Sequence, residues 1–160
     1  SMNVLIDGNI ILDVLQNREP HVEASSKVWK LCETNLVEGY VSALTFADMV
    51  YVMRKELTPE MIQEVLEKMS LIFHFTELSV PDIEKAAGMM WNDYEDAVQA
   101  ATAERIRAAA IVTRNIKDYQ QSMIPAFTPA EFLERFCSRM DCSRVTPPSS
   151  ISTAKDARNS

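Results

Sequence analysis

The sequence of 160 residues is poor in the residue types that build many common catalytic and nucleotide-binding motifs. Its three glycines stand alone at positions 8, 39 and 88, which excludes a Gly-x-Gly-x-x-Gly fingerprint and a P-loop. Its three cysteines, at positions 32, 137 and 142, contain no Cys-x-x-Cys pair, so we expect free, mostly structural thiols rather than a zinc site. The two histidines, His21 and His74, have no serine or cysteine with which a nucleophilic pair can be argued.

Long apolar runs and an excess of basic charge are also lacking. No apolar stretch approaches the roughly 20 residues of a membrane span, and the first residues show no signal-peptide pattern, so we expect a cytoplasmic protein without a membrane partner. The net charge is −7; residues 143–160 hold three basic residues and one acidic residue, which leaves −9 on the first 142 residues. Binding of nucleic acid by bulk charge is therefore excluded, and a polyanionic substrate would need a local positive charge such as a divalent metal.

The hydrophobic pattern alternates between strands and helices. Strands are expected at Val4–Ile6, Gly39–Leu44, Leu71–Leu78 and Ala110–Thr113, with residues 124–127 as a candidate fifth strand. Helices are expected between them, including one at 46–55 that Thr45 would cap and one that starts after Thr58. This order predicts βαβ units and a parallel sheet covered on both faces. We expect one domain over residues 2–138 and a polar, flexible tail over residues 139–160.

Acidic and amide side chains recur where the predicted strands end or the following helices begin. The carboxyl ends of parallel strands meet at one edge of the sheet, so side chains placed there are expected to converge. Asp93 and Asp96 are three residues apart and share one face of a predicted helix. The candidates at this edge are Asp7, Asp48, Asp93, Asp96, Asn115 and Asp118.

Each of these residues has a simpler interpretation when it is taken alone. Asp7, Asp93 and Asp118 could cap helical segments, and Asp48 could be a solvated helix residue. Asp96 is favoured as a functional residue, because the small residues Ala97, Ala100 and Ala101 would let its helix lie close to the sheet. Local capping does not readily explain acids drawn from four separate segments.

Converging carboxylates indicate a particular chemistry. They repel one another unless a cation neutralises them, and carboxylate and amide oxygens suit Mg²⁺ or Mn²⁺. Such a site activates water and stabilises charge on a phosphoryl group, which predicts metal-assisted phosphodiester hydrolysis. No histidine is placed to act as a general base, so a metal-activated water would be the nucleophile.

Four segments in order resemble the PIN-domain family, most closely the bacterial branch related to VapC-type toxins. They are "VLIDGNIILDVLQNREP", "GYVSALTFADMVYVMRK", "DYEDAVQAATA" and "IVTRNIKDY", and the resemblance covers residues 2 to about 136. It implies a three-layer α/β/α sandwich with a central, mainly parallel sheet of four to five strands. It also implies a ribonuclease that depends on Mg²⁺ or Mn²⁺, often a homodimer neutralised by an antitoxin protein.

The resemblance carries the family's acidic ligands to particular residues. Asp7 matches the first ligand, Asp48 the second and Asp96 the third. The fourth position falls on Asn115, which departs from the family's acid, and Asp118 is a nearby carboxylate that could compensate directly or through a water.

Three further positions qualify this match. Gly8 replaces the small hydroxyl residue that usually follows the first aspartate, and this departure puts the water network of a metal site in doubt. Asn9 matches the polar residue that orients Asp7, and we group Asp93 with it as a residue that supports the ligands.

Basic residues lie at the same predicted edge. Arg114 and Lys117 flank Asn115 and are candidates for phosphate contacts, as are Arg54 and Lys55 at the end of the helix that carries Asp48. Solvated loop and helix-end charges are the alternative for all four.

Three functional hypotheses follow. The first is a metal-dependent endoribonuclease, the toxin of a toxin–antitoxin pair with RNA as substrate. The second is a PIN-fold module that binds RNA or protein and has lost activity, as the departures at Gly8 and Asn115 suggest. The third is a phosphatase of the haloacid dehalogenase kind, because "LIDGN" places an aspartate after a strand; that chemistry needs a second acid at the position of Asn9.

Overall fold

A computed structural model describes residues 1–137, so the predicted tail at 139–160 lies outside the described residues. Five strands in this part of the chain form one sheet in the order β3-β2-β1-β4-β5, and every pairing is parallel. The strands are β1 (Asn3–Ile6), β2 (Glu38–Ser42), β3 (His74–Thr76), β4 (Ala110–Val112) and β5 (Ala126–Phe127). The predicted α/β class with a parallel sheet is confirmed.

Seven α-helices connect or follow these strands within the described residues. They are α1 (Gly8–Leu15), α2 (Val22–Glu33), α3 (Ala43–Val52), α4 (Pro59–Ser70), α5 (Val80–Met89), α6 (Tyr94–Arg105) and α7 (Pro129–Cys137). A 3₁₀ turn at Ile116–Tyr119 lies between β4 and β5. None of these helices is both long enough and apolar enough to span a membrane.

Alternation along the buried strands distributes the helices over both faces of the sheet. Val4 and Ile6 of β1 belong to a large core shared with α1, α2, α3, α4 and α7. Leu5, between them, points to the other face and packs with Ala100 and Ala103 of α6. Both faces of the central strand are therefore apolar and covered, which produces the three layers.

The structure corrects the predicted limits of two strands. β2 begins at Glu38 and ends at Ser42, one residue before the predicted start and two residues before the predicted end, so Gly39 lies inside the strand. Glycine is required there because a Cβ would lie 2.5 Å from the sulfur of Cys32 on α2. β3 is reduced to His74–Thr76, because Phe73 still donates its backbone N–H to Met69 at the end of α4.

Two further expectations are wrong. The helix cap of α3 is Ser42 and not Thr45: the Ser42 hydroxyl accepts the backbone N–H of Thr45 at 3.1 Å. The expectation of three free thiols fails at Cys137, which is disulfide-bonded, whereas Cys32 is free and buried. Burial raises the pKa of the Cys32 thiol to about 12, so Cys32 acts as an apolar core residue.

Candidate functional site

Asp7 lies at the junction between β1 and α1 and combines two roles. It is the N-cap of α1, and its Oδ1 accepts the backbone N–H of Gly8 at 2.7 Å. Its Oδ2 accepts the Thr113 hydroxyl at 2.7 Å and the Asn9 amide at 3.3 Å. The capping interpretation is therefore correct, but Oδ2 is also fixed in a second network that a cap does not need.

The electrostatics of Asp7 are unfavourable despite these hydrogen bonds. Burial raises its pKa, and the negative charge of Asp118 acts in the same direction, whereas the hydrogen bonds from Thr113 and Gly8 and the charge of Arg114 oppose the rise. The net pKa stays above the usual value. Asp7 is thus held in one orientation at an electrostatic cost.

Asp96 lies in the first turn of α6, whose N-cap is Asp93. The Asp93 carboxylate accepts the backbone N–H of Asp96 at 3.0 Å, which favours a capping role for Asp93. Burial and the negative charges of Asp93, Asp118 and Asp7 raise the pKa of Asp96 to about 6. The hydroxyl of Tyr119 lies 3.4 Å from Asp96 Oδ1 and partly opposes this rise. Asp7 and Asp96, 89 residues apart in sequence, therefore feel each other's charge.

Asp48, exposed on α3, meets an acid that the sequence reading missed. The Glu95 carboxyl lies within hydrogen-bonding range of Asp48. This contact is the main reason that the pKa of Glu95 rises to about 7. Burial and the charges of Asp48, Asp93 and Asp96 add to the effect. Glu95 and Asp48 thus form a carboxyl pair beside Asp96.

A cleft of about 250 Å³ collects these side chains, and we call it the acidic cleft. It opens at the carboxyl ends of the strands, and its lining includes Asp7, Asp48, Glu95, Asp96, Gln99 and Asn115. A second cleft of about 380 Å³, the side cleft, shares Asp96 with it and is also lined by Trp91, Lys117 and Asp118. Asp118 therefore lines the side cleft, whereas Asn115 lines the acidic cleft together with Asp7.

The basic candidates differ in their surroundings. Arg114 is not freely exposed: its Nε lies 3.1 Å from Oδ2 of Asp13, a fully buried carboxylate, and its side chain is 28% exposed. This ion pair favours a structural role over the predicted phosphate contact. Lys117 is exposed at the side cleft. Arg54 lies in the turn after α3, which ends at Val52, and it donates to the Tyr51 carbonyl at 2.8 Å with its guanidinium 4.0 Å above the Tyr51 ring.

The structure adds four residues that the sequence reading did not include. Thr113 donates its hydroxyl to Asp7 and accepts the backbone N–H of Asn115 at 3.0 Å, so it links the two ends of the site. Glu95, Gln99 and Tyr119 join from α6 and the 3₁₀ turn. Gln99 could have been predicted from the sequence, because it follows Asp96 by three residues on a helix and so lies on the same helix face.

The oxygen donors in the acidic cleft suit a hard divalent cation that is bound by few protein ligands and keeps several waters. Within residues 1–137 no group of three or more His, Cys, Asp or Glu side chains is close enough to enclose an ion. Mg²⁺ commonly uses one or two carboxylates and keeps several waters, so the arrangement of Asp7 and Asp96 fits that ion or Mn²⁺. Burial and neighbouring negative charges raise the pKa values of Asp7 and Asp96, and a bound cation would oppose this rise by stabilising the charged carboxylates.

Comparison with known proteins gives a consistent family. A family profile described as PIN domain matches residues 3–117. Ribonuclease VapC1 of Aquifex aeolicus (strain VF5) is 23% identical over 141 residues, which cover 85% of this chain and 96% of that protein.

Solved structures agree on the fold. A toxin–antitoxin complex from Klebsiella pneumoniae aligns with a TM-score of 0.59 and 23% identity, covering 79% of this chain and 97% of that chain. VapBC2 from Rickettsia felis, bound to a DNA fragment from their promoter, aligns with a TM-score of 0.59 and 16% identity, covering 79% and 98%. The resemblance drawn from the four sequence segments is confirmed, and the chain belongs to the PIN-domain family.

Proposed function

We propose that this protein is a divalent-metal-dependent endoribonuclease that hydrolyses RNA phosphodiester bonds and serves as the toxin of a type II toxin–antitoxin pair. The observation that carries the proposal is the acidic cleft, where β1, α3 and α6 each contribute a carboxylate at the carboxyl end of a parallel sheet. The family membership and the relative named Ribonuclease VapC1 support the same activity.

Asp7 and Asp96 are the principal candidates to hold Mg²⁺ or Mn²⁺ in this proposal. Asp48, Asn115 and Asp118 surround them and would bind the ion directly or through waters. When bound, a divalent ion lowers the pKa of water and stabilises the charge that develops on the phosphoryl oxygens. The residues of the chain itself hold the carboxylates in position and bury one side of the site in the protein.

Positioning of Asp7 is the clearest of these tasks. Asn9 donates to Oδ2 of Asp7, and its own Oδ1 accepts the backbone N–H of Arg114 at 3.4 Å. Asn9 thereby connects the start of α1 with the loop after β4. Thr113 does the same from the other side, so Asp7 cannot rotate without breaking contacts with that loop.

The departures from the family pattern have local explanations that favour an active enzyme. A Cβ on Gly8 would lie 3.2 Å from the methyl group of Thr45, so the backbone there is closely covered. A hydroxyl still reaches Asp7, supplied by Thr113. At the fourth position, Asn115 offers a neutral oxygen, and Asp118 contributes negative charge to both Asp7 and Asp96.

The partners in this proposal follow from the relatives. One structural neighbour is a toxin–antitoxin complex from Klebsiella pneumoniae, which supports an antitoxin protein as the partner of this chain. A homodimer, and a cytoplasmic location beside cellular RNA, complete the proposal and stay predictions.

Cleavage of total bacterial RNA in Mg²⁺ or Mn²⁺, with the new 5′ ends mapped by primer extension, tests the activity. We expect discrete cuts that EDTA abolishes and that Asp7→Asn and Asp96→Asn each reduce by at least about 100-fold. Glu60→Gln is the matched control, because it removes the same charge from an exposed position of α4, a helix that does not line the acidic cleft.

Two results would contradict the proposal. Cleavage that persists in EDTA and in both aspartate variants would place the activity elsewhere or in a contaminant. Binding of RNA without cleavage, under all metal conditions, would favour the inactive PIN-fold module instead.

A further inference from the structure

Gln99 is a buried polar residue without a partner. Its side chain lies on α6 and the residue is 5% exposed, yet neither Nε2 nor Oε1 has a hydrogen-bond partner among residues 1–137. Burying an amide without hydrogen bonds is costly, and most buried polar groups in folded proteins avoid it. A methionine of similar length would fill the same space without that cost.

The location of Gln99 points to a ligand. It follows Asp96 by three residues, so both lie on the same face of α6, and both line the acidic cleft. Two other amides line this cleft: that of Asn9 is already committed to Asp7, and that of Asn115 is exposed to solvent. Gln99 therefore places a buried, uncommitted amide in the wall of a cleft where the titratable lining residues are acids.

The chemistry of the carboxamide narrows the ligand class. Nε2 offers hydrogen-bond donors and Oε1 an acceptor, and the group carries no charge. A phosphodiester presents acceptor oxygens, and its approach to acidic walls is aided by donors that add no further negative charge. A carboxylate at this position would supply acceptors only and would repel a phosphate.

We propose that Gln99 is a substrate-contacting residue whose Nε2 donates a hydrogen bond to a phosphate oxygen of the RNA strand in the acidic cleft. This inference rests on the proposed ribonuclease function. It adds a residue that binds the phosphate backbone of the RNA next to the metal ligands. The unsatisfied amide in the unliganded protein is then retained for substrate binding.

The test combines stability and kinetics for Gln99→Met and Gln99→Glu. The substrate is the shortest oligoribonucleotide that spans a mapped cut site, at saturating Mn²⁺. We expect Gln99→Met to raise the melting temperature of the unliganded protein by roughly 3 °C and to lower kcat/KM about tenfold. Gln99→Glu should lower kcat/KM at least as much, because the donor is lost and a negative charge is added. Gln63→Met, at an exposed position of α4, is the matched control and should retain wild-type kinetics.

Three outcomes would overturn the inference while leaving the ribonuclease proposal intact. In the first, Gln99→Met lowers the melting temperature and leaves kcat/KM unchanged, as for a purely structural amide. In the second, Gln99→Glu retains wild-type kcat/KM. In the third, the variants change the half-saturating Mn²⁺ concentration more than tenfold with KM for RNA unchanged, which would place the amide on the metal. Failure of the ribonuclease proposal itself would appear separately, as a wild-type protein that does not cut RNA.

Discussion

Replacement of Arg114 by methionine is expected to destabilise the fold by about 3–5 kcal/mol, because it leaves a buried carboxylate without its cation. Asp13 is 0% exposed; its Oδ2 contacts Arg114 Nε at 3.1 Å and accepts the Ser25 hydroxyl at 3.0 Å. Oδ1 of Asp13 has no hydrogen-bond partner among residues 1–137. Without Arg114, one neutral hydroxyl would remain to compensate the charge.

The assay is urea unfolding at pH 7, followed by the fluorescence of Trp29 and Trp91. Arg54→Met is the matched control, since Arg54 is exposed, and it should cost less than about 1 kcal/mol. The double variant Asp13→Asn/Arg114→Met removes both charges and should recover more than half of the loss. This recovery would identify the uncompensated charge, and not lost packing, as the cause.

The opposite pattern would refute this reasoning. If Arg114→Met costs no more than Arg54→Met, the ion pair is not a stabilising element. If the variant is also stable but binds RNA more weakly, Arg114 is the phosphate contact that the sequence suggested. A weaker RNA affinity in a destabilised variant would decide nothing by itself, so affinity is compared with that of the stable double variant.

Three further predictions concern the acidic cleft. Asp96 has its pKa raised to about 6, so below that pH the folded state binds a proton that the unfolded chain still lacks. Asp96 should therefore add about 1 kcal/mol to the stability of the metal-free protein in EDTA as the pH falls from 7.5 to 5, after allowance for solvent screening. Glu95, with its pKa raised to about 7, contributes in the same direction, so Asp96→Asn should lower the total gain by about 1 kcal/mol without abolishing it, and an unchanged slope in that variant would contradict the prediction. Gly8→Ala should cost about 1 kcal/mol because its Cβ would lie 3.2 Å from the Thr45 methyl, but nothing in a Thr45→Ser background; equal costs in both backgrounds, measured by urea unfolding, would exclude that contact as the cause. Thr113→Val should cost about 2 kcal/mol by losing the hydrogen bond to Asp7, whereas Thr113→Ser should retain most of it; equal losses in the two variants would show that packing matters more than the hydroxyl.

The order of strands and helices could be predicted because each element carries its own periodic pattern. The ends were harder to predict where two residues can do the same task. Ser42 and Thr45 are both good helix caps, and the choice depends on packing that the local sequence does not encode. Thr45 is buried with its methyl group facing Gly8 and lies in the first turn of α3. Its backbone N–H donates to the hydroxyl of Ser42, which is therefore the cap.

The candidate site was predictable in its acids but not in its neutral groups. Asp7, Asp48 and Asp96 follow from the rule that parallel strands end at one edge. Glu95 was missed because residues one apart on a helix point about 100° away from each other, and only the position of α3 turns it toward Asp48. Thr113 was taken as the end of a buried strand, and its hydrogen bond to Asp7 spans 106 residues of sequence.

Two kinds of carboxylate in this protein illustrate opposite solutions to burial. Asp13 is fully buried but paired with Arg114, so its charge supports the junction between α1 and the loop after β4. Asp7 and Asp96 are less buried, yet each has a raised pKa, first because burial disfavours the charged form and then because other acids lie nearby. A fold selected for stability alone would have a neutral residue in place of one of these two acids. It would also have an apolar residue in place of Gln99 on α6. The protein retains both acids and an unsatisfied amide at the same site. We therefore expect the compensating free energy to come from binding, when a cation neutralises the acids and a phosphate accepts a hydrogen bond from the amide.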